Sequence, residues 1–124
     1  MTMNLCILFG GVSSEHEVSL RSAESVLNHL KKDTYSIYPV GITKEGTWIY
    51  FPGTDWSMLP GGTWREFPGC CPAAISPVRG QGLLLWRNGG VEEIPLDCVF
   101  PVLHGENGED GSIQGLMQAA GIPC

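Results

Sequence analysis

His104–Gly115, HGENGEDGSIQG, lies between an apolar run and an amphipathic segment, and how it is read decides the fold. Upstream, Asp97–Leu103 (DCVFPVL) is short and nearly all apolar, the pattern of a strand covered on both faces. Downstream, Ile113, Leu116, Met117 and Ala120 recur at helical spacing and give one apolar face. Asp110 suits the N-cap of that helix, and Gly121 with Pro123 is a stop signal. The junction carries His104, Glu106, Glu109 and Asp110 among Gly105, Gly108 and Gly111. In an open α/β sheet, ligands bind beyond the carboxyl ends of strands. Spacing alone fits a glycine-rich surface turn with solvated acids equally well.

The same arrangement occurs at the start of the chain. Asn4–Phe9 (NLCILF) reads as a buried strand and runs into Gly10-Gly11-Val12-Ser13-Ser14-Glu15-His16-Glu17. A helix is expected from about Glu15 to Lys32, with Leu20, Ala23, Val26, Leu27 and Leu30 on one side. Ser14 and Glu17 have capping-box spacing, and Lys31 and Lys32 would suit the helix C-terminus. There are thus two strand–glycine loop–helix units, each with an acid and a histidine in its loop. If both strands lie in one parallel sheet, both loops face one cleft.

Together, Gly10–Ala23 (GGVSSEHEVSLRSA) and HGENGEDGSIQG closely resemble the N-terminal domain of D-alanine–D-alanine ligases, members of the ATP-grasp superfamily. The second segment fills every fixed position of the family signature His-Gly-x-x-Gly-Glu-Asp-Gly. The resemblance spans nearly the whole chain and is weakest over Trp48–Glu93. It implies a three-layer, Rossmann-like α/β domain with a mostly parallel sheet, its main strands beginning near Asn4, Tyr35 and Asp97. The Glu15 and His104 loops would open on one edge of that sheet. Residues 1–124 would form this domain alone, without the central and C-terminal ATP-grasp domains, and would be inactive by themselves.

The implied reaction is ATP-driven peptide-bond formation for peptidoglycan. The first D-alanine is phosphorylated on its carboxylate, and the amine of the second attacks the acyl phosphate. ATP and magnesium (or manganese) would be held by the other domains, with no metal ligands here, and the whole enzyme would be a homodimer. Glu15 matches the residue that holds the ammonium of the first D-alanine; its plain alternative is a glutamate that supports its helix start. His104 matches a residue lining the same pocket near the reacting carboxylate, against the alternative of a packed strand-end histidine. Val18 would face the substrate methyl group. Glu109 would orient partners from the missing domains, and Gly10, Gly11, Gly105, Gly108 and Gly111 would permit tight turns and close approach. His16 is given no role, and Ser13, Ser14 and Ser19 read as capping or loop residues. Ligases that add D-serine or D-lactate resemble this region equally well, so the second substrate stays open. A third reading is a non-catalytic dimerisation or binding module.

Charge and composition limit the other classes. Thirteen acids against seven bases give a net charge of −6, which disfavours nucleic acid and anionic membrane as partners. No apolar run reaches the ~18 residues of a membrane span, and no secretory signal is legible, so a cytoplasmic protein is expected. Cys6, Cys70, Cys71, Cys98 and Cys124 lack metal-ligand spacing and read as reduced thiols rather than a zinc site. Gly10-Gly11 lacks the rest of a dinucleotide fingerprint.

The middle of the chain is read from its turns. Tyr35–Ile42 is expected as an alternating strand, and Thr47–Phe51 as its partner after a turn at Lys44–Gly46. Residues 53–93 read as an insertion that is irregular to Gly80, apart from one helical turn near Ser57 and a strand at Ala73–Ser76. Trp56, Trp64 and Phe67 would make a small satellite core. Gly82–Trp86 and Val91–Pro95 would be strands joined by a tight turn at Asn88-Gly89-Gly90.

Overall fold

The computed structural model describes residues 2–12, 14, 16–103 and 112–123. Strand β1 (Met3–Gly10) leads into helix α1 (His16–His29) and then β2 (Tyr35–Ile42). The middle of the chain adds β3 (Trp48–Tyr50), β4 (Cys71–Ile75), β5 (Leu83–Arg87) and β6 (Gly90–Ile94). Strand β7 (Cys98–Leu103) and helix α2 (Ser112–Ala120) follow. All seven strands join one sheet in the order β6-β5-β4-β3-β2-β1-β7.

Parallel pairing is confined to the three main strands. β1 pairs parallel with β2 on one side and β7 on the other, while β2-β3, β3-β4, β4-β5 and β5-β6 are all antiparallel. The expected mostly parallel sheet is therefore a parallel three-stranded unit extended by four antiparallel strands. Short connections explain the β2-β3, β4-β5 and β5-β6 pairs: β3, for example, follows β2 directly after the turn around Thr43–Gly46, and so short a link can join only antiparallel neighbours, whereas the long 51–70 segment between β3 and β4 imposes no direction. The insertion extends the main sheet.

β3 is shorter than the expected Thr47–Phe51. Phe51 N–H donates to the Pro39 carbonyl at 2.9 Å, but Pro39 has no N–H to return the bond, so the ladder ends at Tyr50. β2 does not alternate as expected either. Its second half, Pro39–Ile42, is buried throughout because β2 lies inside the sheet with both faces covered. Helix α1 ends at His29, short of the expected Lys32. The Lys31 carbonyl instead accepts from the Thr34 and Tyr35 N–H groups, turning the chain into β2.

Two apolar layers sandwich the sheet. On one face, Leu20, Ala23 and Leu27 of α1 meet Leu5, Ile7 and Phe9 of β1. Phe51, Trp56, Leu59 and Trp64 belong to this same cluster, with Phe67 packed against it. The insertion aromatics thus extend the main core and do not form the expected satellite. Two 3-10 turns, Trp56–Met58 and Thr63–Glu66, hold them down, and the Asp55 side chain accepts from Ser57 N–H to start the first. On the opposite face, Ile113 and Met117 of α2 pack on Cys6, Leu8, Val40 and Val99.

Cys6, Cys70, Cys71 and Cys98 are free thiols. Complete burial pushes the Cys6 thiol far above its ordinary range, which leaves almost no reactive thiolate. Native protein at pH 8 should therefore leave Cys6 unmodified by iodoacetamide, while protein in urea is alkylated there. Peptide mass spectrometry reads the difference; rapid native modification would mean that β1 opens locally.

Candidate functional site

The register of the parallel strands brings the ends of three of them together. Gly10 stands beside Ile42 in β2 and beside Leu103 in β7. The chain after β1 passes to α1 on one face of the sheet, and the chain after β7 leads to α2 on the other. Where adjacent parallel strands send their connections to opposite faces, a crevice opens between the loops, the usual place for a ligand in an open α/β sheet. The two motifs therefore leave the sheet side by side from one edge. Glu15, His104, Gly105, Gly108, Glu109 and Gly111 themselves lie outside the described residues, as does the expected cap Asp110.

The root of the first loop is built by close backbone approach. Gly10 and Gly11 have φ of +89° and +105°, a region that L side chains rarely adopt. A Cβ on Gly10 would stand 2.2 Å from the Ile42 carbonyl oxygen. The Gly11 N–H donates to that same oxygen at 2.7 Å. The Gly10 N–H donates to Ser19 Oγ at 2.7 Å. Both glycine amides are thus used within the fold. Neither of these two amides is free to cradle a phosphate. Among the described residues no cluster of three or more His, Cys, Asp or Glu could hold a metal ion.

Two residues passed over in the sequence matter here. His16 is buried at the first position of α1, and its Nδ1 lies 2.7 Å from the Gly11 carbonyl oxygen. A carbonyl only accepts, so Nδ1 carries the proton. The ring backs the glycine turn; a Cβ on Gly10 would also come within 3.1 Å of its Cε1. Ser19 is completely buried and its hydroxyl donates to the Val102 carbonyl while accepting from Gly10 N–H. A signal for Ser19 was available, since it sits four residues before Ala23 on the inward side of α1. A hydroxyl there needs a partner. His16 gave no such signal, because its burial depends on how the loop folds back.

Val18 is 44 % exposed in the first turn of α1, so its side chain is available to a ligand. Glu17 points to Lys44 at 3.8 Å and Arg65 to Glu45 at 3.5 Å. Both pairs are solvent-exposed and contribute little to stability. They line, with His16 and Trp64, a cavity of about 240 Å³ between α1 and the 60–65 segment. No helix among the described residues is long and apolar enough to cross a membrane.

Comparison with known proteins agrees with this geometry. The chain is 46 % identical over 120 residues to a D-alanine–D-alanine ligase of Thermoanaerobacter sp. strain X514, covering 96 % of this chain and 33 % of that protein. It is 45 % identical to a putative D-alanine–D-lactate ligase of Streptomyces coelicolor, covering 94 % and 32 %. Among solved structures, the VanG D-Ala:D-Ser ligase from Enterococcus faecalis superposes with a TM-score of 0.90 at 39 % identity, over 99 % of this chain and 35 % of that one. The chain spans about a third of the length of these relatives. The family model described as "D-ala D-ala ligase N-terminus" matches residues 4–124, and the chain belongs to that family.

Proposed function

We propose that this chain is the first domain of an ATP-dependent D-alanine–D-alanine ligase and forms one wall of the site for the first D-alanine. The observation that carries the reading is the side-by-side exit of the two signature loops from β1 and β7 at a switch point of the sheet. In this reading the Glu15 carboxylate, at the positive end of α1, holds the substrate ammonium. Val18 meets the substrate methyl group, and His104 lies beside the reacting carboxylate. Glu109 orients partners supplied by the remaining domains, and Gly10, Gly11, Gly105, Gly108 and Gly111 allow tight turns and close approach of the ligand. ATP and Mg²⁺ are held by the remaining two-thirds of the polypeptide, where the nucleotide supplies the phosphoryl group that activates the carboxylate. The full protein acts in the cytoplasm, as a homodimer, in peptidoglycan synthesis.

The relative named as a D-alanine–D-lactate ligase and the VanG D-Ala:D-Ser structure keep a second reading in place. This domain serves the first D-alanine in either case, and the rest of the chain chooses the second substrate.

Glu15→Gln in the full-length protein tests the assignment, because it keeps the shape and removes the charge. The kcat/KM for the first D-alanine should fall roughly tenfold to a hundredfold, as expected for losing a charge-assisted hydrogen bond. The KM for ATP should stay within about twofold, since the nucleotide is held elsewhere. Unchanged D-alanine kinetics would make Glu15 a helix-start residue only.

A further inference from the structure

We infer that Ser19 is a positioning residue that sets the spacing of the ends of β1 and β7 at Gly10 and Val102, the root of the mouth from which both signature segments leave. Its hydroxyl accepts from Gly10 N–H and donates to the Val102 carbonyl, so it links the last turn of both parallel strands. In the register of the sheet, Val102 faces Phe9 and Leu103 faces Gly10. One side chain from α1 therefore joins the two strands one or two residues before each signature loop begins. Ser19 also fixes the far end of the first loop. Gly10 and Gly11 anchor its start, and His16 and Ser19 tie the beginning of α1 back to those same glycines.

The arrangement is fully desolvated. Ser19 has no exposed surface, and Val102 and Gly10 are buried beside it. Water has no access to replace the hydroxyl, so its loss leaves an amide and a carbonyl facing each other across a methyl-sized gap. The strands would then close or spread, and either shifts one loop root relative to the other. A shifted loop root misplaces the groups that hold the substrate, and loss of such holding contacts reads as a higher KM with kcat little changed. Ser19 touches no substrate in this account and acts through the loops it holds. The consequence for D-alanine rests on the function proposed above, whereas the consequence for the mouth does not.

Ser19→Ala in the full-length protein separates the two. Its crystal structure should keep α1 while the Gly10 to Val102 separation changes, and the Gly10 amide should exchange faster with solvent. In steady-state assays the KM for the first D-alanine should rise roughly tenfold, with kcat and the KM for ATP within about threefold. Ser19→Thr, which restores the hydroxyl, should return that KM toward wild type even if its added methyl lowers Tm. If the alanine variant does not fold, Ser19→Cys keeps the volume with a much weaker donor and should show the same rise in KM. An unchanged mouth and Gly10 exchange rate in a folded variant overturns the inference, as does a lowered Tm with unaltered D-alanine KM. Wild-type protein without D-alanine-dependent phosphate release would defeat the proposed function instead, and the mouth geometry would still decide the role of Ser19.

Discussion

Trp64→Ala should destabilise the domain by about 3–5 kcal/mol, the usual range for removing a large aromatic from a core. Trp64 is 1 % exposed and packs edge-on to Phe9 at 5.1 Å and to Phe51 at 6.3 Å between ring centroids. Its ring fills the space over Gly41, where an added Cβ would meet Cη2 at 2.3 Å. The indole therefore seals the irregular 54–67 segment onto β1 and β2, and the covering side chains cannot collapse into the hole without moving a 3-10 turn. A typical domain has about 5–15 kcal/mol in all, so a loss of this size is a large fraction of the total. Urea unfolding followed by far-UV circular dichroism measures it. Trp64→Phe keeps a ring over Gly41 and should recover part of the loss. A change under about 1 kcal/mol, the centre of ordinary point mutants, would mean that the segment lies loosely on the surface.

The packing of Trp64 also shows where sequence reading stops. Its neighbours Phe9 and Gly41 come from β1 and β2 and Phe51 from just past β3, and no local period links them to residue 64. Aromatics scattered among Gly and Pro carry no face information, so they read as a satellite. Only the tertiary fold merges them with the α1 layer. The hairpin between β5 and β6 was legible for the opposite reason. Asn88 and Gly89 have φ of +56° and +77°, the two positive values a two-residue type I′ turn requires, and Asn-Gly is its strongest local signal. β1 and β7 were legible as compact apolar runs and β2 as an alternating strand, but neither pattern states a pairing direction. For β2, that direction follows from the length of the connections on either side. The helical crossover between β1 and β2 gives a parallel pair, and the four-residue turn before β3 cannot. The candidate site was legible as motif and spacing. The supports of its first loop were less so, because Ser19 and His16 act through backbone groups that only the folded register brings near them.

Gly10→Ala should be more damaging than its single methyl suggests, and a second glycine separates the reasons. Gly46 has the same φ, +89°, but a Cβ there meets only the Val12 Cγ1 at 3.6 Å. Gly46→Ala thus measures the backbone strain alone, about 1–2 kcal/mol for an L-residue in this region. Gly10→Ala adds a 2.2 Å approach to the Ile42 carbonyl oxygen, which is main chain in the neighbouring strand and cannot rotate aside. That oxygen already accepts the Gly11 N–H at 2.7 Å, so relieving the clash also breaks the bond that starts the loop. Strain, clash and lost hydrogen bond together should cost about 3 kcal/mol or more, read as a fall in the urea midpoint. Under the proposed function, any Gly10→Ala protein that still folds has its first loop displaced from β2. Its kcat/KM for D-alanine should drop roughly a hundredfold, while Gly46→Ala stays near wild type. Under the same reading ATP is held by other domains, and its KM should be unchanged in both variants. If the two substitutions prove equivalent in stability and kinetics, then the Gly10–Ile42 approach does not hold the loop, and the first mouth of the crevice must be shaped by residues beyond Gly11.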